Sequence, residues 1–273
     1  MTGLIRIADP ADPRLADFRD LTTADRRPDR PGGRGLVIAE GVVVVRRLLA
    51  SRYPVRALLG VAPRFDELRA DLADLAGRCG LAAPAYVTSA EVMARVVGFH
   101  LNRGVLAVAD RPGPVTADEV IRDATRLAVL EGVGDSENLG ALFRNAAALG
   151  VDGVLIAPGC GDPLYRRSVR VSMGHVLAVP FCPITPWPDG LDLLRANGFR
   201  ILALTPRAGA TALRDVPTGG KVAILLGTEG DGLTEAAIAA ADAAVRIPMV
   251  DGVDSLNVAT AAAVAFYALG GVG

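Results

Sequence analysis

The stretch GVGDSENLGALFRNAAALG, residues 132–150, follows the apolar run Leu127-Ala128-Val129-Leu130 and ends in an alanine-rich helical pattern. A buried strand that turns through glycines and acids into a helix is the repeating step of an open α/β sheet. Such a turn invites a dinucleotide, but the pattern does not fit one. A G-x-G-x-x-G fingerprint starting at Gly132 needs glycine at 137, where Glu137 stands, and a carboxylate there repels a pyrophosphate. No G-x-x-x-x-G-K-[ST] phosphate loop is present either. What the stretch does hold is Asn138-x-Gly140-x-x-x-Arg144. Asn138 can cap the helix, Gly140 lets another backbone come close, and Arg144 lies one to two turns in. Alone, this is also the pattern of a capped helix that carries a solvated arginine.

Working outward, residues 127–273 read as one α/β series. Its candidate strands are LAVLEGV, GVLIAP, VLAVPFC, RILALTP, KVAILLG and AAVRIP, and its candidate helices are 138–149, 189–197, 234–240 and 255–269. The strands are short and apolar on both faces, which predicts a mostly parallel sheet covered by helices. Upstream, residues 35–112 alternate strands and helices as a smaller α/β unit, with RFDELRADLADLAGRCG as one amphipathic helix and Ser89 as a helix cap. Residues 113–126 read as a linker, and the Arg-, Asp- and Pro-rich residues 1–34 as a loosely held, flexible arm.

Composition excludes several classes. With 273 residues, 51% of them hydrophobic, the chain can bury a large core, yet it offers no uninterrupted apolar run of about 20 residues and no signal-peptide pattern. Three scattered cysteines and two isolated histidines, His100 and His175, have no zinc-type spacing, so no metal is expected, and a reducing cytoplasm is the expected compartment. The net charge of −1 hides a split. Residues 1–126 carry 19 Arg against 16 acids, whereas residues 127–273 carry 10 basic residues against 14 acids. All basic residues but Lys221 are arginine, which suits phosphate contacts but equally follows from the base composition of a gene.

Two further segments stand at the carboxyl ends of expected strands, where open α/β sheets bind ligands. In LLGTEGDGL (225–233), Glu229 lies between Gly227 and Gly230; by itself this is also an ordinary strand-to-helix turn. In IPM (247–249), Pro248 stops the ladder and frees the next backbone groups. DSLNVATAAAVAFYAL then opens a helix with Ser255 and Asn257 in its first turn; the rest is small and apolar on nearly every side, so it should be deeply packed.

Together, NLGALFR (138–144), LLGTEGDGL (225–233) and IPM…SLNVA (247–259) resemble the three motifs of the SpoU/TrmH family, the SPOUT-class RNA ribose 2′-O-methyltransferases. Upstream, VIAEGVVVVRRLL and GFHLNRGVLAVADRP resemble the family's accessory substrate-binding domain. The resemblance implies a C-terminal α/β domain threaded into a trefoil knot, a homodimer with active sites near the subunit interface, and S-adenosylmethionine as cofactor. It implies that Gly227, Ile247 and Leu256 hold the adenosine part, that Leu204 and Thr205 line the pocket, and that Thr228, Gly230, Pro248 and Met249 complete it. Asn138, Arg144, Glu229, Ser255 and Asn257 match the polar active-site positions. In YRRSVRVSMG (165–174), Arg170 and Ser172 match a further family stretch; Arg166, Arg167 and Arg170, with Arg103 upstream, are assigned to RNA backbone contact. Many members have Asn where Thr228 stands.

On this resemblance, the expected reaction is methyl transfer to a ribose 2′-hydroxyl of a structured RNA, rRNA ahead of tRNA. Arg144 would hold the hydroxyl and stabilise the developing alkoxide, Asn138 would orient Arg144, Glu229 would secure its loop and balance Arg144, and Ser255 and Asn257 would fix loop and substrate. A guanidinium, with a pKa above about 12, is a poor base, so an RNA phosphate is the expected proton acceptor. The alternatives are an RNA-binding protein of the same fold without catalysis and an RNA base methyltransferase.

Overall fold

The computed structural model describes residues 3–19, 21, 33–79, 83–113, 115–217 and 219–270. By its internal contacts the chain divides into two units: residues 1–113 with 164–178, and residues 114–163 with 179–273.

The first unit runs β1 (Ile5–Arg6), β2 (Val37–Glu40), α1 (Val42–Leu49), β3 (Val55–Gly60), α2 (Ala62–Glu67), α3 (Arg69–Cys79), β4 (Ala85–Val87), α4 (Ala90–Val97) and β5 (Val105–Ala109). The sheet order is β1-β4-β3-β5-β2; β5 pairs antiparallel with both β3 and β2, and the other pairs are parallel. The Ser89 hydroxyl accepts from the Val92 amide, so this cap is where the sequence places it. Two expectations change. Instead of one helix over 64–80, α2 and α3 are separate, with Leu68 buried between them. The expected flexible arm is, over its described residues, part of the core. Ile5 and Arg6 pair with Tyr86 and Val87, and Leu15, Phe18 and Leu21 pack with Ile38, Leu59 and Met93. Pro13–Phe18 is a 3₁₀ turn capped by Asp12, and its three-residue period puts Leu15 and Phe18 on one stripe. The remaining arm residues, including Arg26, Arg27 and Arg30, lie outside the described residues.

The second unit begins with α5 (Ala117–Ile121), closed by a capping box of Thr116 and Glu119. The expected linker is therefore core: Val120, Ile121 and Ala124 pack with Leu127, Leu155 and Cys182. The chain continues through β6 (Arg126–Leu130), α6 (Ser136–Ala148) and β7 (Gly153–Ile156). Residues 164–178, with α7 (Arg166–Val171), then group with the first unit, although the sequence reading keeps them in the second. β8 (Phe181–Pro183), α8 (Leu191–Ala196), β9 (Phe199–Leu204), β10 (Thr211–Ala212), β11 (Lys221–Leu226), α9 (Glu235–Ala239), β12 (Ala243–Arg246) and α10 (Val258–Leu269) complete the unit. The strand expected over 176–182 divides into a 3₁₀ turn, His175–Leu177, and β8.

The sheet order is β10-β12-β9-β11-β6-β7-β8, and every pair is parallel. Central β11 shows why its sequence does not alternate. Ala223 and Leu225 join the core under α5, α8 and α9, while Val222, Ile224 and Leu226 are buried on the opposite face, where α10 packs on β11 and against α6. α6 turns Leu139, Leu142, Phe143 and Ala146 inward at helical spacing. Asn145 Nδ2 donates to the Ala259 carbonyl at 2.8 Å, which ties α6 to α10. α10 is less deeply packed than its composition suggests: Thr260, Val264 and Tyr267 form an exposed stripe.

Phe143 is fully buried and meets the Phe181 ring edge-on, with centroids 5.4 Å apart and planes at 78°. Phe143→Ala is expected to cost about 3–5 kcal/mol of stability, measured by urea unfolding.

Candidate active site

β12, β9 and β11 are neighbours, and all run parallel, so the segments after Leu204, Leu226 and Arg246 leave the sheet at the same edge. Between them lies a cleft of about 380 Å³. Leu204, Thr205, Gly227, Thr228, Gly230, Ile247, Met249 and Leu256 line it, as do Glu229, Ser255 and Asn257. Pro248 is exposed and stands outside the lining, since neighbours along an extended segment face opposite sides. Sequence reading missed Pro206, Leu226, Gly232, Val258 and Ala261. Pro206 simply continues the run after Thr205, and Ala261 lies nearly one helical turn beyond Val258, so both were within reach.

The loop after β11 is shaped by its own backbone. A Cβ on Gly227 would lie 2.2 Å from the Gly232 carbonyl carbon and 2.3 Å from the Leu233 nitrogen. Gly227 is thus required by the chain crossing itself, and not only by the approach of a ligand. The Gly232 amide donates to the Thr228 carbonyl at 3.1 Å, and Gly230 and Gly232 take φ of 91° and 72°. Thr228 participates through its backbone, so the family's usual Asn is not needed for this turn.

Asn257 joins the three motifs. It is the N-cap of α10, not a first-turn residue: its Oδ1 accepts from the Ala259 and Thr260 amides at 3.0 and 3.2 Å. Its Nδ2 donates to Asn138 Oδ1 at 2.9 Å and to Glu229 Oε1 at 2.6 Å. Both amide hydrogens and the oxygen are used, which leaves one sensible orientation of the side chain. The partner of Asn138 and of Glu229 is therefore Asn257, where the sequence reading paired both with Arg144. Asn138 is not the cap of α6 either. Asp135 is, accepting from the Glu137 and Asn138 amides at 2.9 Å.

Arg144 is exposed on α6 and engages no hydrogen-bond or ion-pair partner among the described residues. Six residues beyond Asn138, it sits about 9 Å along the helix axis and about 240° around it. The structure thus unites Asn138, Glu229, Ser255 and Asn257 around the cleft and leaves Arg144 on another face of α6. Arg166, Arg167, Arg170 and Arg103 belong to the first unit. The Arg166 guanidinium lies over the Phe99 ring at 5.1 Å, Arg167 and Arg170 are exposed, and Arg103 Nη1 reaches the Glu40 carbonyl at 3.5 Å. Ser172 is fully buried, with its hydroxyl donating to the Val169 carbonyl at 3.0 Å. Among the described residues, no cluster of His, Cys, Asp and Glu is placed to hold a metal, and no helix is long and apolar enough to cross a membrane.

Gly227→Ala is expected to lower stability by about 2 kcal/mol or more and to abolish small-molecule binding in the cleft, read by urea unfolding and calorimetry. Asn257→Ala, losing the cap and the brace, is expected to cost about 1–2 kcal/mol in the same unfolding assay.

Comparison with known proteins gives a consistent picture. Residues 126–267 match the SpoU rRNA Methylase family. An uncharacterized tRNA/rRNA methyltransferase of Mycobacterium tuberculosis is 56% identical over 264 residues, covering 96% of this chain and 90% of its own. An rRNA methyltransferase of Sinorhizobium meliloti, solved with AdoMet bound, shares the fold with a TM-score of 0.77 and 23% identity over 97% of both chains. An RNA 2′-O ribose methyltransferase superposes with a TM-score of 0.76 and 25% identity, covering 97% of this chain and 98% of its own. Two motifs line one cleft, the first is tied to it by the Asn138–Asn257 bond, and the family match spans all three: the chain belongs to the SpoU family of RNA methyltransferases.

Proposed function

We propose that the chain transfers the methyl group of S-adenosylmethionine to a ribose 2′-hydroxyl of a structured RNA, ribosomal RNA ahead of transfer RNA. The cleft suits the cofactor. Its volume lies within the roughly 300–1,000 Å³ of small-molecule sites, and it combines apolar walls with exposed backbone. Leu204, Leu226, Ile247, Met249, Leu256 and Val258 offer the apolar surface a purine needs, and the glycine-rich turn at 227–232 offers amides and carbonyls for its polar edges. The S. meliloti neighbour, solved with AdoMet, supports the same assignment.

When bound, S-adenosylmethionine supplies a methyl group activated on a sulfonium, so the chain has to position the acceptor and manage its proton. The observation that carries the ribose reading is the unengaged Arg144. Asn257 is bonded to Asn138 and Glu229, whereas the Arg144 guanidinium is exposed and has no partner among the described residues. Arg144 binds the 2′-hydroxyl, fixes its direction and stabilises the alkoxide charge as it develops. A neighbouring RNA phosphate accepts the proton, since a guanidinium does not. Asn257, Asn138 and Glu229 keep the cleft in shape, and Ser255 contacts the substrate from its rim. The match to an RNA 2′-O ribose methyltransferase supports this chemistry over base methylation.

Two copies of the chain pair in this reading. Val264 and Tyr267 on α10, with Val250 and Val253 in the preceding loop, leave an apolar surface exposed; Val250 and Tyr267 are 76% and 74% accessible. A second copy covering that surface makes a homodimer with the active sites near the subunit interface, as the family resemblance implies. The trefoil knot is carried over from the family pattern of the three motifs. RNA is held by the arginines of the first unit, Arg103, Arg166, Arg167 and Arg170.

Arg144→Ala is expected to lower methyl transfer at least about 100-fold while S-adenosylmethionine binding, followed by calorimetry, is retained. Unchanged turnover removes Arg144 from the reaction. In the product RNA, alkaline cleavage is expected to skip one nucleotide, because cleavage needs a free 2′-hydroxyl. A methylated RNA still cleaved at every position means that a base was the acceptor.

A further inference from the structure

Glu131 follows β6 directly and is only 6% exposed. None of the three family motifs contains it, and it does not line the cleft. Its contacts nonetheless enclose the loop that does. The Glu131 backbone amide donates to the Leu226 carbonyl at 2.9 Å, at the point where β11 ends and the cleft loop begins. Its carboxylate meets the chain again where that loop ends: Oε2 accepts from the Thr234 amide at 2.9 Å, and Oε1 from the Thr234 hydroxyl at 2.8 Å. The same Oε1 accepts from the indole N–H of Trp187 at 2.5 Å. One residue thus holds both ends of residues 227–233.

We propose that Glu131 is a positioning residue for S-adenosylmethionine: it sets the span of the 227–233 loop and with it the shape of the cleft. The proposal rests on the placement of the cofactor in that cleft. Three donors point at the carboxylate, and each oxygen is an acceptor, which is the arrangement an ionised acid satisfies and an amide does not. A glutamine must turn its NH₂ toward either the Thr234 amide or the Trp187 indole, so a buried donor faces a donor. Thr234 carries the constraint onward. Its hydroxyl also accepts from the Ala237 amide at 3.2 Å and so caps α9, which makes the end of the loop and the start of the helix one unit. At the other end, the crossing of Gly227 under Gly232 and Leu233 leaves the loop no room to absorb a shift. The bond from Asn257 to Glu229 passes any displacement on to Asn138.

The test is calorimetric titration of the full chain with S-adenosylmethionine, with folding followed by thermal melting. Glu131→Gln is expected to weaken binding about tenfold or more in protein that remains folded. Thr234→Val, without the hydroxyl, is expected to weaken it severalfold, and Thr234→Ser to restore most of that loss. Ala261→Leu, which fills the cleft directly, serves as the reference. If Ala261→Leu loses the cofactor and folded Glu131→Gln keeps parental affinity, the positioning role is overturned and the cofactor's placement stands. If neither variant changes affinity, the placement falls and the positioning role with it. Should Glu131→Gln fail to fold, the Thr234 pair decides, and equal affinities of the serine and valine variants overturn the proposal.

Discussion

The cleft depends on a place where the backbone meets itself. Gly227 passes so close to Gly232 and Leu233 that no side chain fits at its position. The loop after β11 is therefore a closed turn with fixed ends, and Gly227, Thr228, Glu229, Gly230 and Gly232 of it line the cleft. Preorganised backbone groups of this kind bind without paying to be ordered at the moment of binding. Glu131 and Asn257 reinforce the turn from opposite sides, one at its ends and one through Glu229.

The polar side chains of the site divide into two kinds. Asn257 bonds Asn138 and Glu229 at once and acts as a brace across three segments far apart in sequence. Arg144 is the opposite case, a charge on an exposed helix face that engages no partner among the described residues. A guanidinium left in this state costs little while exposed to water and presents a planar set of donors to an incoming oxygen. The second unit around it holds more acids than bases, so its few arginines matter more than their number suggests.

Much of the fold was legible because buried parallel strands are short apolar runs followed by turns. The strand ends at Leu130, Ile156, Leu204, Leu226 and Arg246 all fall within the stretches read from the sequence. Errors arose where local pattern and packing disagree. Residues 3–19 look like a polar arm because acids, arginines and prolines are scattered among their apolar residues, yet Leu15 and Phe18 are spaced three apart and enter the core on a 3₁₀ turn. Residues 117–124 look like a linker because they are short and polar on one face. Their other face is Val120, Ile121 and Ala124, and it is buried. α10 is apolar on nearly every side, but only tertiary packing reveals that one stripe of it is left exposed among the described residues.

The sequence by itself determined which residues gather at the site: Asn138, Glu229, Ser255 and Asn257 lie at the carboxyl ends of strands or the mouths of helices, and parallel strands bring such ends together. What it could not determine is which of them bond to which. Asn257 donates to residues 119 and 28 positions away, Glu131 bonds Trp187 and Thr234 at separations of 56 and 103, and Gly227 is needed because a later part of the same loop passes beside it. Periodicity reports which face of an element is buried. Hydrogen-bond partners depend on distances of a few tenths of an ångström between segments that are distant in sequence, and those are decided only when the sheet order places β11 between β9 and β6.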